Sequence, residues 1–331
     1  MRRAVRQLML APTLALLAAV LLAAPARAGE PMTLALQWVP QAQFAGFYVA
    51  LADGLYEQAG IDLSIEPGGP DLIASERLEE GGADFATMFL ATGIQRRAAG
   101  APVVNICQLV QQSALMLVAK KSSGITGFKD LDGRRVGLWS NEFQLQPRAL
   151  FKRLGLDVTL VPQTDSLDLF LLGGVDAASA MWYNEYHRLL TYGLDPDDLV
   201  PLFFAEAGLN FPEDGVYALE STIRERPELC ARFVEATLEG WRAAFEDPER
   251  ALDIVLAAMS EARIGASRNH QRWMLLRMRD VILGRDAGTS RPSGQLLIED
   301  FDRVLMVLLN NGLIEHGVDY QDFFRDVRHG G

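Results

Sequence analysis

The sequence lacks the ligand spacing of a metal centre. Its two cysteines, Cys107 and Cys230, and its four histidines, His187, His270, His316 and His329, are scattered. No pair stands at the short separations that zinc or haem sites use, so those chemistries are excluded. Two cysteines also cannot build a disulfide framework. Cys107 falls in an apolar strand-like run and Cys230 in a helical pattern, which favours two buried thiols and leaves one bridge open. Positive charge is scarce as well: 31 Lys and Arg stand against 43 Asp and Glu, a net charge of −12. Four arginines precede Gly29, so the charge beyond that point is −16. Such acidity excludes nucleic acid and anionic membrane as partners. The paired bases Arg96-Arg97, Lys120-Lys121 and Arg134-Arg135 are isolated from one another. Internal repeats, low-complexity tracts and long linkers are absent too.

One long apolar run is present, over residues 8–24. Arg2, Arg3 and Arg6 precede it and Ala26-Arg27-Ala28 follows. This pattern predicts a secretory signal peptide cleaved after Ala28. Its 17 apolar residues lie at the short limit for a membrane span, and no cysteine sits at the cleavage point for a lipid anchor. The predicted product is periplasmic. Its 303 residues exceed one ordinary core and suit two lobes.

The remaining pattern alternates strand, turn and helix. Residues 34–36 read as a buried strand, Pro40 breaks the chain, and 44–52 carry an apolar face at helical spacing. Residues 61–65 alternate as a second strand before the turn Gly68-Gly69-Pro70-Asp71. This alternation predicts a parallel sheet with its ligand edge at the strands' carboxyl ends. Further strands are predicted over 83–88, 103–107, 114–119, 136–139, 158–161, 177–181 and 216–219. Helices are predicted over 72–80, 91–99, 146–154, 167–172 and 183–190. From Glu225 onward helices dominate: 228–245, 248–259, 268–283 and 296–311, with a surface loop over 284–293. Two strand crossings predict a hinge between lobe one, residues 29–120 with 215–331, and lobe two, residues 121–214.

Trp38-Val39-Pro40, then Ala45-Gly46-Phe47-Tyr48-Val49-Ala50 and Gly54-Leu55-Tyr56 with Gly60-Ile61-Asp62, form one ensemble of motifs. So does Asp130-Leu131-Asp132-Gly133-Arg134-Arg135-Val136-Gly137, where the second lobe is expected to begin. Together they resemble the thiamine-pyrimidine (thiamine pyrimidine synthase-like) family of periplasmic solute-binding proteins, over nearly all of the mature chain. The resemblance implies an α/β fold of the two-lobe, type II periplasmic binding protein kind. It implies a monomer that delivers a small ligand to an ABC importer permease, without a cofactor.

Candidate ligand contacts follow from the strand ends. Trp38, Gln41, Phe44 and Tyr48 stand in or after the first turn as an aromatic and polar wall. Gly69 precedes a predicted helix whose amides could hold an anion, although Asp71 could equally be an ordinary cap. Trp139, Ser140 and Asn141 follow the first strand of lobe two, where the last two are also natural caps. Trp182, Tyr183, Asn184 and Glu185 follow residues 177–181 and offer two rings, an amide and a carboxylate. That carboxylate could accept from a ring N–H and an exocyclic amine, or could lie solvated on a helix's first turn.

Some relatives in the resembling family are enzymes. They use a lysine that holds pyridoxal phosphate, a histidine consumed in the reaction and a cysteine-rich segment. Those places fall here at Met88, at Thr92 and near Leu209-Asn210-Phe211-Pro212-Glu213, none of which supplies the needed group. The sequence therefore points to a binder rather than an enzyme. No lysine or arginine occurs between Trp38 and Tyr56, which favours a flat, neutral heterocycle over nitrate or sulfonate. A thiamine pyrimidine precursor is the first expectation, with riboflavin or another nitrogen heterocycle second. Mass spectrometry of the exported protein should find Gly29 at its N-terminus; retention of residues 8–24 would refute cleavage.

Overall fold

The computed structural model describes residues 29–69, 72–284 and 293–329. The predicted leader, Pro70 and Asp71 of the glycine turn, and residues 285–292 of the predicted loop lie outside the described residues. Strands β1 (Glu30–Ala35), β2 (Ile61–Glu66), β3 (Phe85–Phe89) and β4 (Val103–Gln108) come first. Next come β5 (Leu115–Lys120), β6 (Arg135–Leu138), β7 (Thr159–Pro162), β8 (Ala177–Met181) and β9 (Leu199–Phe203), and then β10 (Asp214–Leu219). They form two five-stranded sheets, in the orders β2-β1-β3-β10-β4 and β7-β6-β8-β5-β9.

Both sheets are mixed, where a parallel sheet was predicted. β1 runs parallel to β2 and β3, but β10 is antiparallel to β3 and β4. The connectivity requires this. β4 runs toward the point where the chain leaves the first sheet, and β10 starts where it returns. In the second sheet β6 is parallel to β7 and β8, while β5 is antiparallel to β8 and β9. The carboxyl ends of β3 and β8 therefore face each other across the two crossings.

β5 corrects one boundary. Its residues were counted with lobe one, yet the strand pairs with β8 and β9 in the second sheet. The outgoing crossing is therefore residues 109–114, and the return crossing is 204–213. β9 was not predicted at all. Pro201 interrupts its short apolar run, and a proline is tolerated because β9 is an edge strand.

The helix Ala45–Ala52 is apolar on every side and is packed deep in the first-sheet core, as its composition demands. It lies against the helix Pro227–Glu246, and the two approach through glycines. A Cβ on Gly240 would stand 2.3 Å from the Gly46 carbonyl oxygen, and one on Gly46 would meet the Trp241 ring at 2.2 Å. Beside them Phe233 stacks on Phe85 and Tyr56, whose hydroxyl lies 2.9 Å from Thr237 Oγ1. Cys107 and Cys230 are both buried and free, and burial pushes their thiols up to about 12 and about 11. Among the described residues no helix is long and apolar enough to cross a membrane, and no group of metal-ligating side chains gathers.

Two of the late helices touch both units. The helix Arg268–Leu283 packs on the turn 42–44, where the Ala42 N–H donates to Gln271 Oε1 at 2.7 Å, and also meets the helix Glu185–Thr191. The helix Ile298–Asn310 reaches the helix Leu145–Leu154, where Lys152 Nζ donates to the Asn310 carbonyl at 3.3 Å. Gly240→Ala should lower stability by about 1–3 kcal/mol, since neither helix can retreat without opening the core. Urea denaturation monitored by circular dichroism measures this loss.

Candidate functional site

The strand ends and the crossings border a partly open cavity of about 30 Å³. Phe89 at the end of β3 and Met181 at the end of β8 stand on its wall. Phe143, Gln146, Phe211 and Glu213 complete the part that matters chemically. Trp139 meets Phe143 edge-on at 5.3 Å, and Phe143 meets Phe89 edge-on at 5.3 Å. This aromatic ladder spans from the end of β6 to the end of β3.

Glu213, the last residue of the return crossing, stands on the cavity wall, and Asp214 follows it as the first residue of β10. Glu213 is 5 % exposed and Asp214 is 4 % exposed. Glu213 Oε1 accepts from the backbone N–H of Ala114 at 2.6 Å, of Leu115 at 3.2 Å, and from Ser113 Oγ at 3.1 Å. Its other oxygen, Oε2, is buried with no hydrogen-bond partner among the described residues. Asp214 accepts from Gln37 Nε2 at 2.6 Å and Gln43 Nε2 at 2.7 Å, and Gln41 Nε2 donates to Gln43 Oε1 at 2.6 Å. Burial pushes Glu213 up to about 8, helped by the Asp214 charge, and pushes Asp214 up to about 6 against the two amide donors.

The predicted contact residues divide. Gln41 belongs to the relay onto Asp214. Tyr183 is buried, and its hydroxyl is pushed upward first by burial and then by the charges of Glu213, Asp214 and Glu185. Trp38 keeps 38 % of its surface exposed after β1. Trp139 acts through Phe143, while its indole N–H donates to the Thr164 carbonyl at 2.9 Å. Ser140 is exposed, and the side chain of Asn141 lies outside the described residues.

The others do not stand on the cavity wall. Phe44 is fully enclosed and Tyr48 nearly so, because the turn and helix that carry them face the core on all sides. Gly69 bridges to Leu72, and the next helix, Ala74–Glu79, starts five residues later, so no helix amides meet this turn directly. Glu185, expected at a cleft edge or in solvent, is buried and accepts from the Met181 N–H at 2.9 Å, which fastens the end of β8. Trp182 turns to the helix Arg268–Leu283: its carbonyl accepts from Trp273 Nε1 at 2.9 Å and the Arg277 guanidinium lies 4.6 Å from its ring. Asn184 Oδ1 meets His270 Nε2 at 3.0 Å on the same contact.

Gln146, Phe89, Phe143, Phe211 and Glu213 line the cavity, with Asp214 and Gln43 bonded behind it, and none of these follows from the strand-end reading. One signal was available. Two adjacent acids at 213–214 open an otherwise apolar strand, a place where a solvated charge is not expected.

The family model described as NMT1/THI5 like matches residues 41–251, more than half of the chain. The riboflavin-binding protein RibY of Chloroflexus aurantiacus is 27 % identical over 275 residues, covering 77 % of this chain and 75 % of that protein. The formylaminopyrimidine-binding protein of Halalkalibacterium halodurans is 23 % identical over 310 residues, covering 90 % of each. A 4-amino-5-hydroxymethyl-2-methylpyrimidine phosphate synthase of Legionella pneumophila is 26 % identical over 249 residues, covering 70 % and 75 %. Among solved structures, the periplasmic aliphatic sulphonate binding protein SsuA of Escherichia coli superposes with a TM-score of 0.66 at 18 % identity. That superposition covers 88 % of this chain and 91 % of SsuA, and it shows the two-lobe periplasmic binding protein fold.

The buried acids set the pH dependence of stability. Both have folded values raised above their unfolded ones, so the folded protein holds protons that the unfolded chain has already released. Their contribution is complete below about pH 4 and is lost as pH rises through about 6 for Asp214 and about 8 for Glu213. Thermal melts should therefore show Tm falling between pH 5 and pH 9 (a range of about four units), with a shallower fall in Glu213→Gln. Parallel curves would contradict the raised Glu213 value.

Proposed function

Because the chain belongs to the NMT1/THI5-like family, we propose that it is an exported solute-binding protein delivering a small, flat nitrogen heterocycle to an ABC importer. The observation that carries this reading is the chemistry of the cleft. Aromatic faces from both units meet there beside amide and carboxyl groups, and none of the residues on the cavity wall is basic. Such a wall suits a ring that stacks and hydrogen-bonds in its plane, with about 1–3 kcal/mol from two ring contacts beyond area burial. A thiamine pyrimidine precursor is the first ligand, supported by the formylaminopyrimidine-binding relative. A flavin is the second, supported by the relative RibY.

The reading is non-catalytic. Met88 is buried in β3 where the synthase relatives carry their lysine, and a thioether cannot form a Schiff base with pyridoxal phosphate. Thr92 and the cysteine-free segment 209–213 offer none of the other groups. The residues present do not fit that cofactor.

In this proposal the two sheets belong to two lobes that part at residues 109–114 and 204–213. A hinge at these two crossings would let the lobes part to admit a ligand and close on it. Trp38 and Tyr183 then flank the entering ring together with the Phe89–Phe143 pair. The protein acts as a monomer and meets its permease in the periplasm.

Calorimetry on residues 29–331 tests the reading with 4-amino-5-hydroxymethyl-2-methylpyrimidine, formylaminopyrimidine, riboflavin and an alkanesulfonate. A heterocycle should bind with micromolar affinity, about −8 kcal/mol. Binding of the sulfonate alone would reverse the assignment.

A further inference from the structure

We propose that Glu213 selects the ligand, presenting a neutral carboxylic acid whose Oε2–H donates to an in-plane acceptor of the heterocycle. The proposal rests on the solute-binding reading above and adds which atom does the choosing. The acceptor it fits is a pyrimidine ring nitrogen or a flavin carbonyl.

The geometry assigns the two oxygens different roles. Oε1 already accepts three hydrogen bonds, two from backbone amides and one from a hydroxyl. Ser113 Oγ already accepts from the Leu115 N–H and from Gln146 Nε2, so its O–H points to Oε1 and the acid proton belongs on Oε2. Oε2 is enclosed and unpartnered, in a side chain that is 5 % exposed and stands on the cavity wall. A buried polar atom without a partner costs about 1–3 kcal/mol, and a ligand acceptor would relieve that cost on binding.

The surroundings favour the neutral form. Asp214 lies alongside on the same crossing and accepts amide donors from Gln37 and Gln43, so it is the group kept ionised. From the second unit, the Tyr183 hydroxyl faces the pair and is pushed upward by burial and then by their charges. The outgoing crossing and the helix Leu145–Leu154 present neutral Ser113 and Gln146, which are bonded to each other at 2.9 Å. Two adjacent buried carboxyls cannot both ionise cheaply. The upward displacement of Glu213 to about 8 agrees with this division.

The consequence is a pH-dependent affinity that a carboxylate acceptor would not produce. Infrared difference spectra of the ligand-free protein at pH 7 should contain a protonated carboxyl stretch that Glu213→Gln removes (pH 7 being about one unit below the raised value). Calorimetry with the heterocycle that wild type binds should show affinity falling about tenfold per pH unit above pH 8. Glu213→Gln, whose amide NH₂ can replace the O–H donor, should bind within about threefold of wild type and lose this pH dependence. Glu213→Leu should lose binding while both variants keep a cooperative melt. A missing carboxyl stretch, a flat wild-type profile, or a loss of more than about thirtyfold in Glu213→Gln would overturn the proposal (about 2 kcal/mol). Failure of wild type to bind any heterocycle would instead overturn the solute reading, and the carboxyl stretch would still decide the state of Glu213.

Discussion

One carboxylate holds the two crossings together. Glu213, on the returning chain, accepts the backbone N–H groups of Ala114 and Leu115 on the outgoing chain. Backbone pairing between the crossings ends where the Glu213 N–H donates to the Val110 carbonyl at 3.1 Å, and beyond it side chains satisfy the backbone. Asn210 Oδ1 accepts from the Ser113 N–H at 2.9 Å and its Nδ2 donates to the Gln111 carbonyl at 3.2 Å. Gln108 Nε2 reaches the Glu213 carbonyl at 3.1 Å. Crossings tied by side chains keep their partners while backbone dihedrals change, which a continuous ladder would resist. The same residues therefore join the two sheets.

Much of the fold was legible because its cores are built from short periodic runs. The helix 268–283 and the strand 177–181 were read with their observed bounds, since each is bordered by caps or turns. β9 escaped because Pro201 breaks a run of five residues, and only its place at a sheet edge makes that harmless. β5 was seen as a strand but assigned to the wrong sheet. An apolar run records burial, not the identity of its neighbours.

The site was less legible, for a related reason. Phe44 and Tyr48 follow a strand end in sequence, but the helix they enter is apolar all round, so adjacency to the cleft edge does not give access to it. Glu185 stands in the first turn of its helix as read, but its carboxylate is buried and accepts from the Met181 N–H instead of lying in solvent. The functional acids become recognisable only once residues far apart meet. Glu213 gains its meaning from Ser113 and Ala114 about a hundred positions earlier, and Asp214 from Gln37 and Gln43. The scattered histidines behave the same way. His187 Nδ1 and His270 Nδ1 lie 3.0 Å apart, and His270 Nε2 meets Asn184 Oδ1. With the Asn184 oxygen accepting, His270 carries its proton on Nε2 and its Nδ1 must accept from His187. Burial lowers His270 to about 4, so this contact between the two units is neutral at physiological pH.

In the proposed reading, these electrostatics disfavour an anionic ligand. SsuA shares the two-lobe architecture, and its name describes an aliphatic sulphonate as its ligand. Here the corresponding crevice sits beside Asp214, which two glutamine amides hold ionised at neutral pH. A sulfonate about 4 Å from that carboxylate would meet a repulsion of about 4 kcal/mol at an effective dielectric constant of about 20. That is close to a thousandfold in affinity, and no basic side chain on the cavity wall offsets it. A neutral ring escapes the penalty and gains from stacking on the phenylalanines. In the proposed reading, the charge on Asp214 beside a neutral Glu213 decides which ligands the cleft can hold.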